Sequence, residues 1–289
     1  MFKDQYIFSQ IIEFIPRREF NQFVFDHQVN RHIRNLDCRD QLLAMMFGQL
    51  TNLRSLRGIV LCLNAHSKLL FHLGFKSNNF VLSTLSRANE NRDWKIYYDL
   101  SQLLVRQARK LYLHDNDFTI DLQGSVYALD STVIDLCLLT FKWAYFELGK
   151  SAVKIHTQLD LRGNIPSFFH ITEAKTHDIN FLDILKFEAG AFYIMDRGYF
   201  DWIKQHLRIE VFCGYSINAV KTQICIAMCA FLFVAIMKKR LKINRNLYEI
   251  LQILSLSQFE KTPIVTLVSE SKLQIFNEQG QKRLFSLDF

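Results

Sequence analysis

The chain has 289 residues, of which 49% are hydrophobic and 22% charged, and its formal net charge is +7. That composition excludes a disordered chain and supports one large core or two smaller ones, while the excess of Lys and Arg fits a polyanionic partner such as a phosphate backbone. The six cysteines are scattered with no CxxC pair and the nine histidines form no HExxH, which argues against a zinc site or a disulfide framework and fits a reducing cytoplasm.

The opening "MFKDQYIFSQIIEF" lacks the basic start, apolar run and cleavage site of a secretory signal. With only three prolines and ten glycines, long elements are expected, and residues 1 to about 115 read as helical throughout. "RDQLLAMMFGQL" places Leu42, Leu43, Met46, Phe47 and Leu50 on one face at the 3.6-residue period. Thr51 and Asn52 break it, and a second amphipathic helix runs through Leu53, Leu56, Ile59, Val60 and Leu63. A further helix from about Val81 to Asn91 carries Ser83, Thr84, Ser86, Arg87, Asn89 and Arg92 on or near its polar side. Arg and Asn pair with guanine and adenine edges in a major groove, so Arg87, Asn89 and Arg92 are candidate DNA contacts. A solvated helix face has the same composition, and the residues alone leave both readings open.

From Ser125 the period changes. "SVYALDS" reads as a strand, and "AVKIHTQLDL" and "IPSFFHITEA" read as a hairpin turning at Arg162, Gly163 and Asn164. "HDINFLDILKF" reads as a helix capped near Asp178 or Asn180, and "AFYIMD" as a short strand apolar enough for burial on both faces. Downstream, Ile224 to Met237 is apolar all round but, at fourteen residues, shorter than the roughly 20 needed to span a bilayer. A buried helix packed on the sheet, with no membrane involved, is the expectation.

Asp130 and Asp196 end the first and fourth strands of this unit. If those strands are parallel neighbours, both carboxylates leave from one end of the sheet, where hard divalent cations such as Mg²⁺ take oxygen ligands and bridge to phosphates. Either aspartate alone is equally a cap or turn former.

The blocks "VYALDSTVIDLCL", "KIHTQLDLRGNIPSFFHITEAKTHDIN" and "FYIMDRGYFD" resemble the catalytic core of DDE transposases of the insertion sequence 4 family. The opening third, with "FGQLTNLRSLRGI" and "LSRANENRDWKIYYDL", is similar to the N-terminal region of their bacterial members. The resemblance runs from about residue 3 to 200 and resumes from Trp202 to about 268. It implies an α/β (α+β) fold: an N-terminal helical, DNA-binding region over residues 1–118, then a truncated RNase H-like mixed sheet with flanking helices over residues 119–289. It also implies that Asp130 and Asp196 are catalytic and bind Mg²⁺, and that Lys204 contacts DNA phosphate.

The family places its third acid in a helix patterned as Tyr, two residues, Arg, three residues, Glu, six residues, Lys. "WIKQHLRI" looks like the end of that helix, with Lys204 as its lysine. Counting back then meets Arg197, Tyr193 and Gly190 where Glu, Arg and Tyr are required, and none of the ten tyrosines has an arginine three residues later. Glu210, the nearest acid downstream, lies after Lys204, where the pattern has no carboxylate. The implied break falls between residues 201 and 202, so the expectation is an internally deleted transposase lacking its third catalytic carboxylate. Its expected partners are the terminal repeats of an insertion sequence and a further copy or a full-length transposase; the expected location is the bacterial cytoplasm, at the nucleoid when DNA is bound. The alternatives are a non-enzymatic DNA-binding inhibitor of full-length copies and a decay product without function.

Overall fold

The structure, a computed structural model, describes residues 4–29, 36–113, 125–137, 139–147, 150–195, 207, 209 and 211–270. Six helices come first: α1 (Ile7–Ile12), α2 (Arg17–Asp26), α3 (Cys38–Leu50), α4 (Leu56–Ala65), α5 (Leu82–Asn91) and α6 (Lys95–Tyr112). Local chemistry starts two of them: the Asp37 carboxylate accepts from Asp40 N at 2.8 Å to cap α3, and Ser55 Oγ accepts from Gly58 N at 3.0 Å to cap α4. The break between α3 and α4 is real, with Asn52 in the left-handed region at φ 55°.

After the sheet come α8 (Ile217–Arg240), α9 (Leu247–Ser257) and α10 (Ile264–Glu270). α8 begins at Ser216, whose hydroxyl accepts from Ala219 N at 3.1 Å, and ends with Lys238, Lys239 and Arg240 where the helix dipole favours cations. At 24 residues it is longer than the apolar run alone, long and apolar enough to cross a membrane by length and composition, yet 94% of its most apolar window is buried inside the fold. Its surroundings differ from the expectation. α8 packs chiefly among α1, α3, α5, α6 and α9, and α6 is the helix that lies against the sheet, on its fourth strand. The reason is girth: a helix apolar on every side needs neighbours on every side, and one sheet face supplies only one. One hydrophobic cluster consequently runs from Ile7 to Val268 and joins the N-terminal helices, the sheet and α8.

Among the described residues the strands are β1 (Val126–Leu136), β2 (Tyr145–Glu147), β3 (Lys150–Asp160), β4 (Ile165–Glu173) and β5 (Phe192–Met195). Their order is β2-β3-β1-β5, with β4 also paired to β3. β1 is antiparallel to β3 and parallel to β5, so the sheet is mixed as expected. β3 and β4 form the hairpin, closed by Asn164 at φ 48°.

Alternation sorts the side chains onto two faces. Ala128, Asp130 and Thr132 share one face with Ile155, Thr157 and Leu159 of β3 and with Phe169 of β4, the face that α6 covers through Tyr98 against Phe169. Tyr127, Leu129 and Ser131 point the other way, with His156 and Phe168, under α7 (Ile179–Leu182), whose Phe181 packs on Leu129 and Phe168.

α7 is much shorter than the helix expected from "HDINFLDILKF". Asp178 makes no cap hydrogen bond there. Its carboxylate instead accepts from Lys154 Nζ at 3.1 Å, so the helix start goes without its side-chain cap.

Candidate active site

Asp130 sits in mid-strand on β1 and is 4% exposed. Its Oδ2 accepts from Thr132 Oγ1 at 3.0 Å, two residues along the same face. Across the ladder it faces Thr157 of β3, whose buried hydroxyl has no hydrogen-bond partner among the described residues. Asp130, Thr132 and Thr157 therefore gather hard oxygen atoms on one patch of the sheet, a donor set that fits Mg²⁺ rather than a soft metal. It supplies a single negative charge, and among the described residues no group of three or more His, Cys, Asp or Glu could hold a metal ion.

On the other side of β1 the parallel register pairs Val126 with Phe192 and Leu129 with Met195. Leu129 and Met195 are each followed in the chain by an aspartate, Asp130 and Asp196. Asp196 itself lies outside the described residues, as do Lys204 and Glu210 and the junction of Asp201 with Trp202.

A polar network fixes β5 in that register. Glu188 accepts from Tyr127 Oη at 2.5 Å and from Ser125 Oγ at 3.0 Å, its backbone N–H donates to Tyr193 Oη at 2.7 Å, and Phe192 N donates to Ser125 O at 2.8 Å. The Tyr127 hydroxyl leads the causes that hold the Glu188 carboxyl below its usual value. Arg109 of α6 joins the network, donating to Tyr127 Oη and lying 3.7 Å from Asp160 Oδ2. The segment that delivers the second aspartate is thus tied to the start of β1 and to α6.

A second cluster lies on the face opposite Asp130. His156 is fully buried, its Nε2 is 2.9 Å from Thr172 Oγ1, and its ring stacks on Phe181 at 4.8 Å. Burial pushes its pKa down to about 4, so the ring is neutral at neutral pH. Burial raises the Asp178 carboxyl, but the hydrogen bonds from Lys154 and Ser131 and the Lys154 charge outweigh it and leave the pKa below the ordinary carboxylate value. Sequence reasoning missed this triad because Lys154 and His156 alternate with apolar residues as surface positions do. The signal it had was "THD", three polar residues directly before an apolar turn.

The three candidate DNA contacts of α5 part company. Arg87 is exposed, its Nε donating to Ser83 O at 3.2 Å. Asn89 is 2% exposed: its Oδ1 accepts from Gln41 Nε2 at 2.8 Å and its Nδ2 points to Met45 Sδ at 3.3 Å. Arg92 is 8% exposed and donates to Leu36 O, to Asp37 O at 2.9 Å and to Gln41 Oε1 at 2.8 Å. Asn218 of α8 then takes the backbone carbonyls of Asn89 and Arg92 at 2.9 and 2.5 Å. Asn89 and Arg92 are fasteners between α3, α5 and α8 in this fold, because the helix face that carries them turns inward at its C-terminal end.

Comparison with known families gives two matches. Residues 3–76 match a domain of unknown function (DUF4372), and residues 121–201 match the transposase DDE domain. No curated protein and no solved structure matches the chain. Transposase DDE domains generally use a divalent metal ion. The second match takes in the whole sheet with Asp130 and reaches past Asp196, and it supports a DDE transposase.

Proposed function

We infer that the chain is an internally deleted transposase of the insertion sequence 4 family, whose ancestral reaction is Mg²⁺-dependent hydrolysis at the element's ends followed by attack of the freed 3′-hydroxyl on target DNA. The observation that carries the reading is the β1–β5 pairing, which sets Leu129 beside Met195, each followed in the sequence by an aspartate. Chain connectivity then supports Asp130 and Asp196 as neighbouring ligands, with the Thr132 hydroxyl donating to the first of them and Thr157 across the ladder from it.

Two observations support the deletion. The DDE match ends at residue 201, where the sequence pattern breaks. β5 is an edge of the sheet among the described residues, and its Phe192, Ile194 and Met195 are 49%, 37% and 62% exposed. An all-apolar strand left open along one side is what remains when the elements that covered it are gone.

A metal bound between the aspartates would activate water and stabilise charge on the scissile phosphate. Asp130 and Asp196 would hold it, Lys204 would bind a phosphate near the end, and Arg87 on the exposed face of α5 would reach base edges. Without a third carboxylate to fix a second cation, this copy binds DNA and does not cut it. An inhibitor of full-length transposase is the alternative that the structure favours over simple decay, because the helices of the N-terminal region keep their caps and their buried fasteners.

The test is Mn²⁺ binding followed by paramagnetic resonance, together with a mobility shift on the element's terminal repeat. Weak Mn²⁺ binding lost in both Asp130→Asn and Asp196→Asn, with a shift that weakens as salt rises, is expected. Mn²⁺ binding unaffected by both substitutions would remove the aspartates from the site.

A further inference from the structure

Beneath the N-terminal helices, away from the DDE sheet, lies a cleft of about 610 Å³ lined by Arg17, Phe20, Asn21, Arg39, Phe71 and Phe75. That volume lies in the range of sites for small organic ligands. Three features set its chemistry. Arg17 is exposed at the first position of α2, whose N-cap, Pro16, offers no side-chain oxygen to the first N–H groups. Arg39 is half-buried and held in place by donating from one Nη to the carbonyl of Gly74, a residue at φ 85°. That bond uses one of the five N–H groups of a guanidinium. Phe71 is 81% exposed at the cleft, unlike Phe20 and Phe75, which are buried.

The nearby acids are engaged elsewhere. Asp40 accepts from the backbone N–H groups of Lys76 and Ser77 at 3.0 and 2.8 Å, and Asp37 takes Lys76 Nζ at 2.6 Å and Asp40 N at 2.8 Å. Arg17 and Arg39 both line the cleft, and burial and then the like charge of Arg17 push the Arg39 pKa down against the pull of Asp40 and Asp37. An anion between them would relieve that repulsion, and a planar group beside it would cover Phe71.

We propose that this cleft, within the domain of unknown function at residues 3–76, binds one nucleotide of an unpaired DNA strand, with the phosphate between Arg17 and Arg39 and the base stacked on Phe71. A duplex does not fit the role, since its bases are already stacked on one another, whereas an unpaired base offers a free face to an aromatic ring. The proposal rests on the transposase reading for the presence of DNA but not on the aspartates.

The experiment is fluorescence anisotropy of the full chain with a labelled oligothymidylate, and in parallel with a labelled duplex of the terminal repeat. Phe71→Ala and Arg17→Ala both alter exposed side chains, so circular dichroism and melting should match the parent protein. Phe71→Ala should weaken binding to the single strand about five- to 150-fold, the loss of one base stack, and Arg17→Ala should weaken it at least about fivefold through the loss of a phosphate contact, each changing duplex binding less than about twofold. Thymidine monophosphate should displace the strand at lower concentration than inorganic phosphate. Unchanged single-strand affinity in Phe71→Ala, or inorganic phosphate or polyglutamate competing as well as the nucleotide, would overturn the proposal. Loss of duplex binding in Arg87→Ala with single-strand binding intact bears on the end-recognition reading alone, so the two can fail separately.

Discussion

Arg87 lies within α5 and Arg92 caps its C-terminal end five residues on, yet their replacement by alanine should produce opposite phenotypes. Arg92 is buried and serves Leu36 O, Asp37 O and Gln41 Oε1; Arg92→Ala leaves Leu36 O and Gln41 Oε1 without that donor, leaves Asp37 O with Gln41 N alone, and opens a void where the guanidinium was. Hydrogen bonds to a charged group contribute roughly 1.5–3 kcal/mol each, and buried acceptors stripped of a partner add to the loss, so about 3–5 kcal/mol is expected. Against the roughly 5–15 kcal/mol of a typical domain that is a large fraction. Arg92→Lys keeps the charge without the planar fork and should lose about 1–3 kcal/mol. Arg87→Ala removes an exposed side chain and should change stability by less than about 0.5 kcal/mol while weakening binding to the terminal repeat more than binding to random DNA. Urea denaturation followed by circular dichroism, with DNA affinity measured on the same preparations, checks both. A stability loss under about 0.5 kcal/mol for Arg92→Ala would refute the fastener assignment, and equal losses on specific and random DNA would remove Arg87 from sequence recognition.

Burial holds the His156 pKa at about 4 in the folded chain, against an ordinary value of 6.5. Above pH 6.5 both states are neutral there; as pH falls from 6.5 to 4 only the unfolded state gains the proton, so stability should fall by up to about 3 kcal/mol, a slope that His156→Gln should flatten in denaturation curves at stepped pH. Asp178, with its pKa lowered from 3.8, contributes stability that is present above that value and is lost as pH falls further, so Asp178→Asn should flatten the decline only in this more acid window. Gly74→Ala should cost about 1–3 kcal/mol in thermal or chemical unfolding, since φ is 85° and the added Cβ would sit 2.4 Å from Ile12 Cδ1. Phe192→Lys on the open β5 edge should lower static light scattering at high protein concentration without changing the circular dichroism spectrum; unchanged scattering would clear that edge of a role in self-association.

Much of the sheet was legible because its signals are local. The alternation of β3 and β4 and the Arg162–Asn164 turn mark the hairpin, and the short apolar run before Asp196 marks a strand that needs no long-range information to recognise. The continuation of β1 to Leu136 and the short strand β2 were not legible, since both exist by pairing with the start of β3. Asn89 and Arg92 misled for a related reason. A polar residue bound to Gln41 from another helix has the same spacing on its own helix as one bound to water, and only the docking of α3 and α8 distinguishes the two. The same holds for Asp178, which looks like a helix cap in the sequence and becomes the anion for Lys154 in the fold. Of the candidate site residues, Asp130 is placed on a buried, oxygen-rich patch, whereas Asp196 and Lys204 lie outside the described residues.

The most direct test of the central claim, a transposase site reduced to two aspartates, is cleavage of terminal-repeat DNA by the purified chain in Mg²⁺ or Mn²⁺, with Asp130→Ala alongside. The account predicts no nicking and no strand transfer by either protein, on DNA that the chain nevertheless binds. Cleavage by the parent chain that disappears in Asp130→Ala would contradict it, showing that another carboxylate, with Glu210 the first to examine, completes the site.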